Sequence, residues 1–172
     1  VKEEFLSENK AFDHNVKIGI MIETPSAAML AGILAEYVDF FSIGTNDLTQ
    51  YVLAIDRTND KVSKSYNTFN PAVLEFIART IEAANKHKKP VTLCGEYAAL
   101  PEAVPLLLGM GLRQFSMNPH SIAATKKIIR TLDIQTCEKL YQQVKKMHTA
   151  DAVEKHCRTF LKENVQDIKF YN

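Results

Sequence analysis

Four short apolar runs most constrain how this chain folds: KIGIMI (17–22), VDFFSI (38–43), VTLC (91–94) and RQFSM (113–117). Strands of four to six residues without apolar–polar alternation are what burial on both faces requires. Each run leads into a helical stretch. Thr24-Pro25 opens SAAMLAGILAEY, with the proline suited to a first turn. After a polar loop, Leu48 to Ile55 reads as a short helix, followed by a turn-rich link from Arg57 to Asn70. Asn70-Pro71 starts the clearest helix, with Val73, Leu74, Phe76, Ile77, Thr80, Ile81 and Ala84 on one face. Pro101 opens EAVPLLLGMG, where Pro105 is expected to limit or kink the helix and GMG to cap its end. Pro119 opens HSIAATKKIIRTL, and two further helices fit about 135–148 and 151–164. Strands alternating with helices predict an α/β fold with a parallel sheet and helices outside. An open four-stranded sheet and part of a closed barrel look alike at this level.

Composition narrows the function classes. Lys and Arg number 21 against 20 Asp and Glu, spread along the chain without the basic stripe of a nucleic-acid binder. Lys86, Lys88 and Lys89 cluster at the end of a helix, where cations complement the dipole. No run of about 18 apolar residues is present to span a membrane. The start, VKEEFLSENK, is acidic and helix-like and has no initiator Met, which suggests a chain cut from something longer. Three cysteines cannot all pair and show no zinc spacing, which suits a reducing cytoplasm.

The reactive residues fall at one end of the strands. Glu23 ends the first, Asn46 and Asp47 follow the second beyond Gly44, Cys94 ends the third, and Asn118 follows the fourth. Barrels and open α/β sheets both build ligand sites at this end. Glu23 and Asp47 form a carboxylate pair suited to Mg²⁺, and equally each could cap the helix after it. Arg57 offers a phosphate-binding guanidinium within a loop of Asp47, or no more than an exposed ion pair. Cys94 reads as a proton donor, a nucleophile or a small buried hydrophobe. Cys137 and Cys157 read as packing residues, and His120 lies near the proposed mouth. No Walker loop, GxGxxG or Ser/His/Asp constellation is present.

DFFSIGTNDLTQYVLAIDR (39–57) resembles the signature of the phosphoenolpyruvate-utilising enzymes, a long ungapped match. IGIMIETPSAA (18–28), TLCGEYA (92–98) and LLLGMGLRQFSMNPHSI (106–122) follow in that family's order and spacing. YVLAIDRTND and FSMNPHSIAATKKIIRTL look most like its phosphoenolpyruvate–protein phosphotransferase branch, which serves sugar uptake in bacteria. The resemblance implies a (β/α)8 barrel that binds phosphoenolpyruvate with Mg²⁺ at its C-terminal face. It implies Glu23 and Asp47 as metal ligands, Asn46, Asp47 and Arg57 as substrate-binding residues, and Cys94 as the acid that protonates pyruvate enolate. The implied partners are phosphoenolpyruvate and pyruvate, a phosphoacceptor histidine domain and its phosphocarrier protein, with no nucleic acid and no membrane insertion.

Only four of eight strands are visible, so the expected architecture is the C-terminal half of such a barrel over residues 1–132 with a helical tail over 133–172. None of the five histidines sits in an acceptor-like motif, and such a fragment is expected to be inactive alone. Two open sheet edges and an uncovered inner face predict self-association, as a dimer or larger homo-oligomer. Alternatives are the barrel of a phosphoenolpyruvate synthase or pyruvate phosphate dikinase, a citrate-lyase-like Mg²⁺ barrel, and a non-catalytic module binding a partner helix through its tail.

Overall fold

The computed structural model describes residues 1–166, so the last six residues of the expected tail lie outside the described residues. Four parallel strands, β1 (Gly19–Ile22), β2 (Phe40–Gly44), β3 (Val91–Cys94) and β4 (Gln114–Phe115), form one sheet in chain order. Nine helices accompany them among the described residues: α1 (Lys2–Ser7), α2 (Pro25–Met29), α3 (Ala31–Leu34), α4 (Thr45–Leu53), α5 (Pro71–Lys86), α6 (Ala103–Gly109), α7 (Pro119–Thr131), α8 (Ile134–Val144) and α9 (Ala150–Asn164).

The helices start where side chains satisfy the free N–H groups of a first turn. Thr24 Oγ1 accepts from Ala27 N at 3.2 Å, Asn70 Oδ1 from Ala72 N at 2.9 Å, and Asp133 Oδ1 from Thr136 N at 2.8 Å. The helix expected over 26–37 divides at Leu30 (φ −94°, ψ 7°). The break still keeps Ala28, Ala31 and Ala35 buried, small residues that let α2 and α3 lie close to α5. Helix α4 begins at Thr45, directly after β2, so Asn46 and Asp47 occupy its first turn instead of a loop before Leu48. A carboxylate there faces the positive end of the helix dipole. Pro105 does not kink α6, because it sits in the first turn, where a missing N–H loses no helical bond. The helix ends as GMG suggests: Gly111 N bonds Leu108 O and Leu112 N bonds Leu107 O, both at 3.0 Å.

Burial leaves one sheet face uncovered, as expected for half a barrel, and not covered on both faces as the apolar runs alone suggest. Ile22, Phe41, Ile43, Val91 and Leu93 are buried beneath the helices, whereas Met21 and Phe40 on the opposite face are 50% and 37% exposed. The runs therefore carry apolar residues on both faces, but helices of this chain cover only one. Strand β4 is also shorter than the five residues expected. Arg113 instead turns its Nη1 to the carbonyls of Leu108 (3.0 Å) and Leu112 (2.7 Å), and the chain leaves the sheet after Ser116 N reaches Leu93 O.

The tail is built into this core. Leu140, Val144, Val153 and Cys157 are buried in the same cluster as the strands and α5, while Cys137 and Leu161 join a neighbouring cluster with Val104 and Ile128. The amphipathic faces that could have docked on a partner helix are thus covered within the chain. No helix among the described residues is long and apolar enough to cross a membrane.

Because Leu140 is fully buried in the shared core, Leu140→Ala should cost about 2–5 kcal/mol. Urea unfolding followed by both far-UV circular dichroism and tyrosine fluorescence should still give one coincident transition. Separate transitions would show that α8 and α9 unfold apart from the sheet.

Candidate functional site

Strand register brings the predicted residues to one level. Ile22 pairs with Ile43, and Gly44 pairs with Cys94, so Glu23, Gly44 and Cys94 stand side by side at the C-terminal end of the sheet. Gly44 is required by close approach: a Cβ there would lie 2.7 Å from both Cγ and Oε1 of Glu23. Gly95 (φ 105°, ψ −178°) adopts a backbone that other residues avoid, and its Cβ would lie 2.6 Å from Thr45 Oγ1. That hydroxyl donates to the Cys94 carbonyl at 2.9 Å, tying the start of α4 to the end of β3. A Cβ at Gly95 would also come within 3.2 Å of Asn46 Oδ1, so Asn46 lies against the same loop.

Neither carboxylate serves as a helix cap. Thr24 caps α2, and the N-cap of α4 is Gly44, with no side-chain cap. Glu23 and Asp47 face each other instead. Partial burial, then the Asp47 charge and a hydrogen bond to it, raises the Glu23 carboxyl above the usual carboxylate range. Arg57 Nη2 stands 3.8 Å from Asp47 Oδ1, and both side chains are about two-fifths exposed. The backbone N–H of Arg57 donates to Gln50 Oε1 at 3.2 Å, which holds the guanidinium stem near α4. The Arg57–Asp47 contact is an exposed ion pair of the kind the sequence allows for Arg57, while Asp56 is engaged elsewhere. Its Oδ1 accepts from the hydroxyl and N–H of Thr58 at 2.7 and 2.9 Å, and those bonds lower its pKa.

The thiol of Cys94 is half-buried on the uncovered side. Ser42 Oγ donates to its Sγ at 3.5 Å, and Sγ donates to the Ile43 carbonyl at 3.4 Å. The other two thiols are buried in helices, where desolvation pushes Cys137 up to about 11 and Cys157 up to about 12. Both are packing residues, as their helical positions suggest. Asn118 caps α7, accepting from Ser121 N at 3.0 Å, and His120 is exposed on that helix. Among the described residues no group of three or more His, Cys, Asp or Glu comes together as a metal centre.

Sequence reasoning missed a second layer. Tyr66 Oη donates to the Asn46 carbonyl at 2.9 Å, and Asn67 Nδ2 donates to Glu154 Oε2 at 3.1 Å. Nothing in local spacing signals a bond across 87 positions.

Comparison with known proteins gives a consistent match. The family profile described as "PEP-utilising enzyme, PEP-binding domain" matches residues 1–134. A phosphoenolpyruvate-protein phosphotransferase of Haemophilus influenzae is 45% identical over 164 residues, covering 95% of this chain and 28% of the relative. One from Buchnera aphidicola subsp. Acyrthosiphon pisum is 52% identical over 137 residues, 80% of this chain and 24% of the relative. Multiphosphoryl transfer protein 2 of Escherichia coli is 42% identical over 153 residues, 89% of this chain and 18% of the relative. The chain therefore spans less than a third of the length of each of these curated relatives.

The carboxylate pair predicts a pH signature. With its folded pKa raised, Glu23 binds protons more tightly in the native than in the unfolded state. Native stability therefore falls as pH rises from the ordinary glutamate value through the raised one, and the cost of burial and of repulsion by Asp47 is fully present above it. Glu23→Gln should be more stable than the parent at neutral pH, by about 0.5 kcal/mol or less for so accessible a pair. The advantage should disappear as pH falls below about 4.3. Thermal denaturation across that range measures it, and an advantage independent of pH would contradict the pairing.

Proposed function

Because the chain belongs to the PEP-utilising enzyme family, we propose that it carries one side of a site that passes the phosphoryl group of phosphoenolpyruvate to a protein histidine. The observation that carries this reading is the meeting of two carboxylates, a guanidinium, an amide and a thiol at the ends of three adjacent strands. The acceptor histidine comes from outside these residues. The names of the relatives favour a protein acceptor over phosphoenolpyruvate synthase or dikinase chemistry. The strand order, unbroken and with helices on one face, supports half of a (β/α)8 barrel over a doubly wound sheet, whose order reverses at a switch point. Residues 1–132 and the helices that follow would form one domain.

Glu23 and Asp47 are the residues that would hold Mg²⁺. Two apposed carboxyls, one with its pKa raised by partial burial and then by its neighbour's charge, suit a hard divalent cation that prefers one or two carboxylates together with water and phosphate oxygens. When bound, the ion neutralises charge on the phosphoryl group. Arg57 meets the phosphate with its planar fork, and the Asn46 amide donates to the same end of the substrate. As the phosphoryl group departs, pyruvate enolate remains. Cys94 then gives its thiol proton to the methylene carbon, forming the C–H bond as S–H breaks. The Ser42 hydroxyl, already donating to Sγ, would stabilise the thiolate left behind.

Amide NMR of the labelled chain tests this. Phosphoenolpyruvate with Mg²⁺ should shift Gly44 to Asp47, Arg57, and Cys94 to Glu96, and Arg57→Ala should weaken binding by about tenfold or more. A dispersed spectrum that ignores both ligands would mean these residues do not form the site by themselves. The open sheet face and edges also favour self-association of this chain. Sedimentation equilibrium showing a monomer at every concentration would remove that part of the reading.

A further inference from the structure

A polar path runs from the core of the tail to the first turn of α4. The Glu102 carboxylate, only 5% exposed as a residue, accepts from Arg158 Nη2 at 3.0 Å. The same nitrogen donates to Glu154 Oε1 at 3.2 Å. The other Glu154 oxygen accepts from Asn67 Nδ2, while Asn67 Oδ1 accepts from Phe69 N at 2.8 Å. One residue earlier, Tyr66 Oη reaches the Asn46 carbonyl. Thus Glu102, Arg158, Glu154, Asn67, Tyr66 and Asn46 are linked in series.

The 66–69 corner is held by these bonds, by the Thr49 hydroxyl donating to Thr68 Oγ1 at 3.1 Å, and by Phe69. Phe69 anchors one end, buried edge-on against Tyr97 with ring centroids 5.0 Å apart. Beside it a cleft of about 260 Å³ opens among Asn46, Tyr66, Asn67, Glu96 and Glu154, with Phe69, Tyr97 and Leu100 also on its wall, so Tyr66 and Asn67 border open space on that side. An isolated i,i+4 pair such as Glu154–Arg158 is ordinarily worth little on a helix surface. Here one end is braced by a buried carboxylate and the other grips a loop far away in sequence.

We propose that Glu154 of α9 is a positioning residue for the candidate site, holding Asn67 so that Tyr66 fixes the Asn46 carbonyl and the turn that carries Asn46 and Asp47. Residue 154 lies beyond the matched family region, which ends at 134. The consequence for substrate rests on the reading that Asn46 contacts the phosphate, whereas the mechanical link stands without it.

The test uses the labelled chain and amide NMR, first without ligand. Glu154→Ala should shift or broaden the Tyr66, Asn67 and Asn46 amides and the Asn46 side-chain NH₂. Glu154→Gln keeps an oxygen for Asn67 and should restore most of the parent spectrum. Asn67→Asp keeps the acceptor for Phe69 N but sets a carboxylate against Glu154, so it should resemble Glu154→Ala. Combining Asn67→Asp with Glu154→Gln exchanges donor and acceptor and should recover the Asn46 signals, a rescue that general destabilisation would not produce. With phosphoenolpyruvate and Mg²⁺ added, Glu154→Ala should bind about tenfold more weakly than the parent and the double variant close to parent strength. Unmoved Asn46 signals in Glu154→Ala, or no recovery in the double variant, would overturn the proposal. If the Asn46 signals respond and recover but the parent itself binds no phosphoenolpyruvate, the link stands and the substrate reading fails.

Discussion

The in-register parallel ladder between β2 and β3 is the constraint on which the site depends. With Gly44 opposite Cys94, the hydrogen bonds of the sheet set the height of each strand end to within a residue. A slip of one position would turn Cys94 toward the helices and draw Val91 or Leu93 out of the core, so burial and site geometry are enforced together. The Thr45 hydroxyl on the Cys94 carbonyl then clamps the helix start to the neighbouring strand. Glycine at 44 and 95 lets side chains from three segments occupy space that a Cβ would fill.

A site of this kind stores electrostatic tension that the fold resists. Two carboxylates meet where the first turn of α4 favours negative charge, and one guanidinium stands close enough to temper the pair without neutralising it in a tight bidentate contact. The apposition costs the empty fold a little and becomes favourable when positive charge arrives. The uncovered sheet face carries a similar meaning. Met21 and Phe40 lie beside the polar row of Ser42, Thr92 and Cys94, so the same surface combines exposed apolar area with the Cys94 thiol.

Much of this was legible in the sequence because the signals are local. Proline preceded by Thr, Asn or Asn-like caps marked where α2, α5 and α7 begin, and the period of Val73, Leu74, Ile77 and Ile81 marked the buried side of α5. Glu23, Asn46, Asp47, Arg57 and Cys94 stood out because each follows a strand or its connecting helix, and the run DFFSIGTNDLTQYVLAIDR supplied the family. Features set by distant contacts were not legible. The apolar content of the strands could not say that only one face would be covered. Nor could the sequence alone distinguish a loop at Thr45-Asn46-Asp47 from a helix starting there, since small polar residues suit both. Glu154, separated from Asn67 by four α-helices, carried no local mark at all.

The order of the strands has a consequence for how the molecule comes into being. Each new strand adds to the edge left by the one before it, so a chain emerging from the ribosome can extend its sheet progressively without waiting for a distant partner. Helix α9 follows all four strands in chain order, yet it supplies Glu154 and Arg158, which reach back to Asn67 and Glu102. The strand ends could thus be assembled early while the loop above them remained loose. Emergence of α9 would then tighten that loop, so a nascent chain would hold these strand-end groups in approximate order before it could hold them firmly.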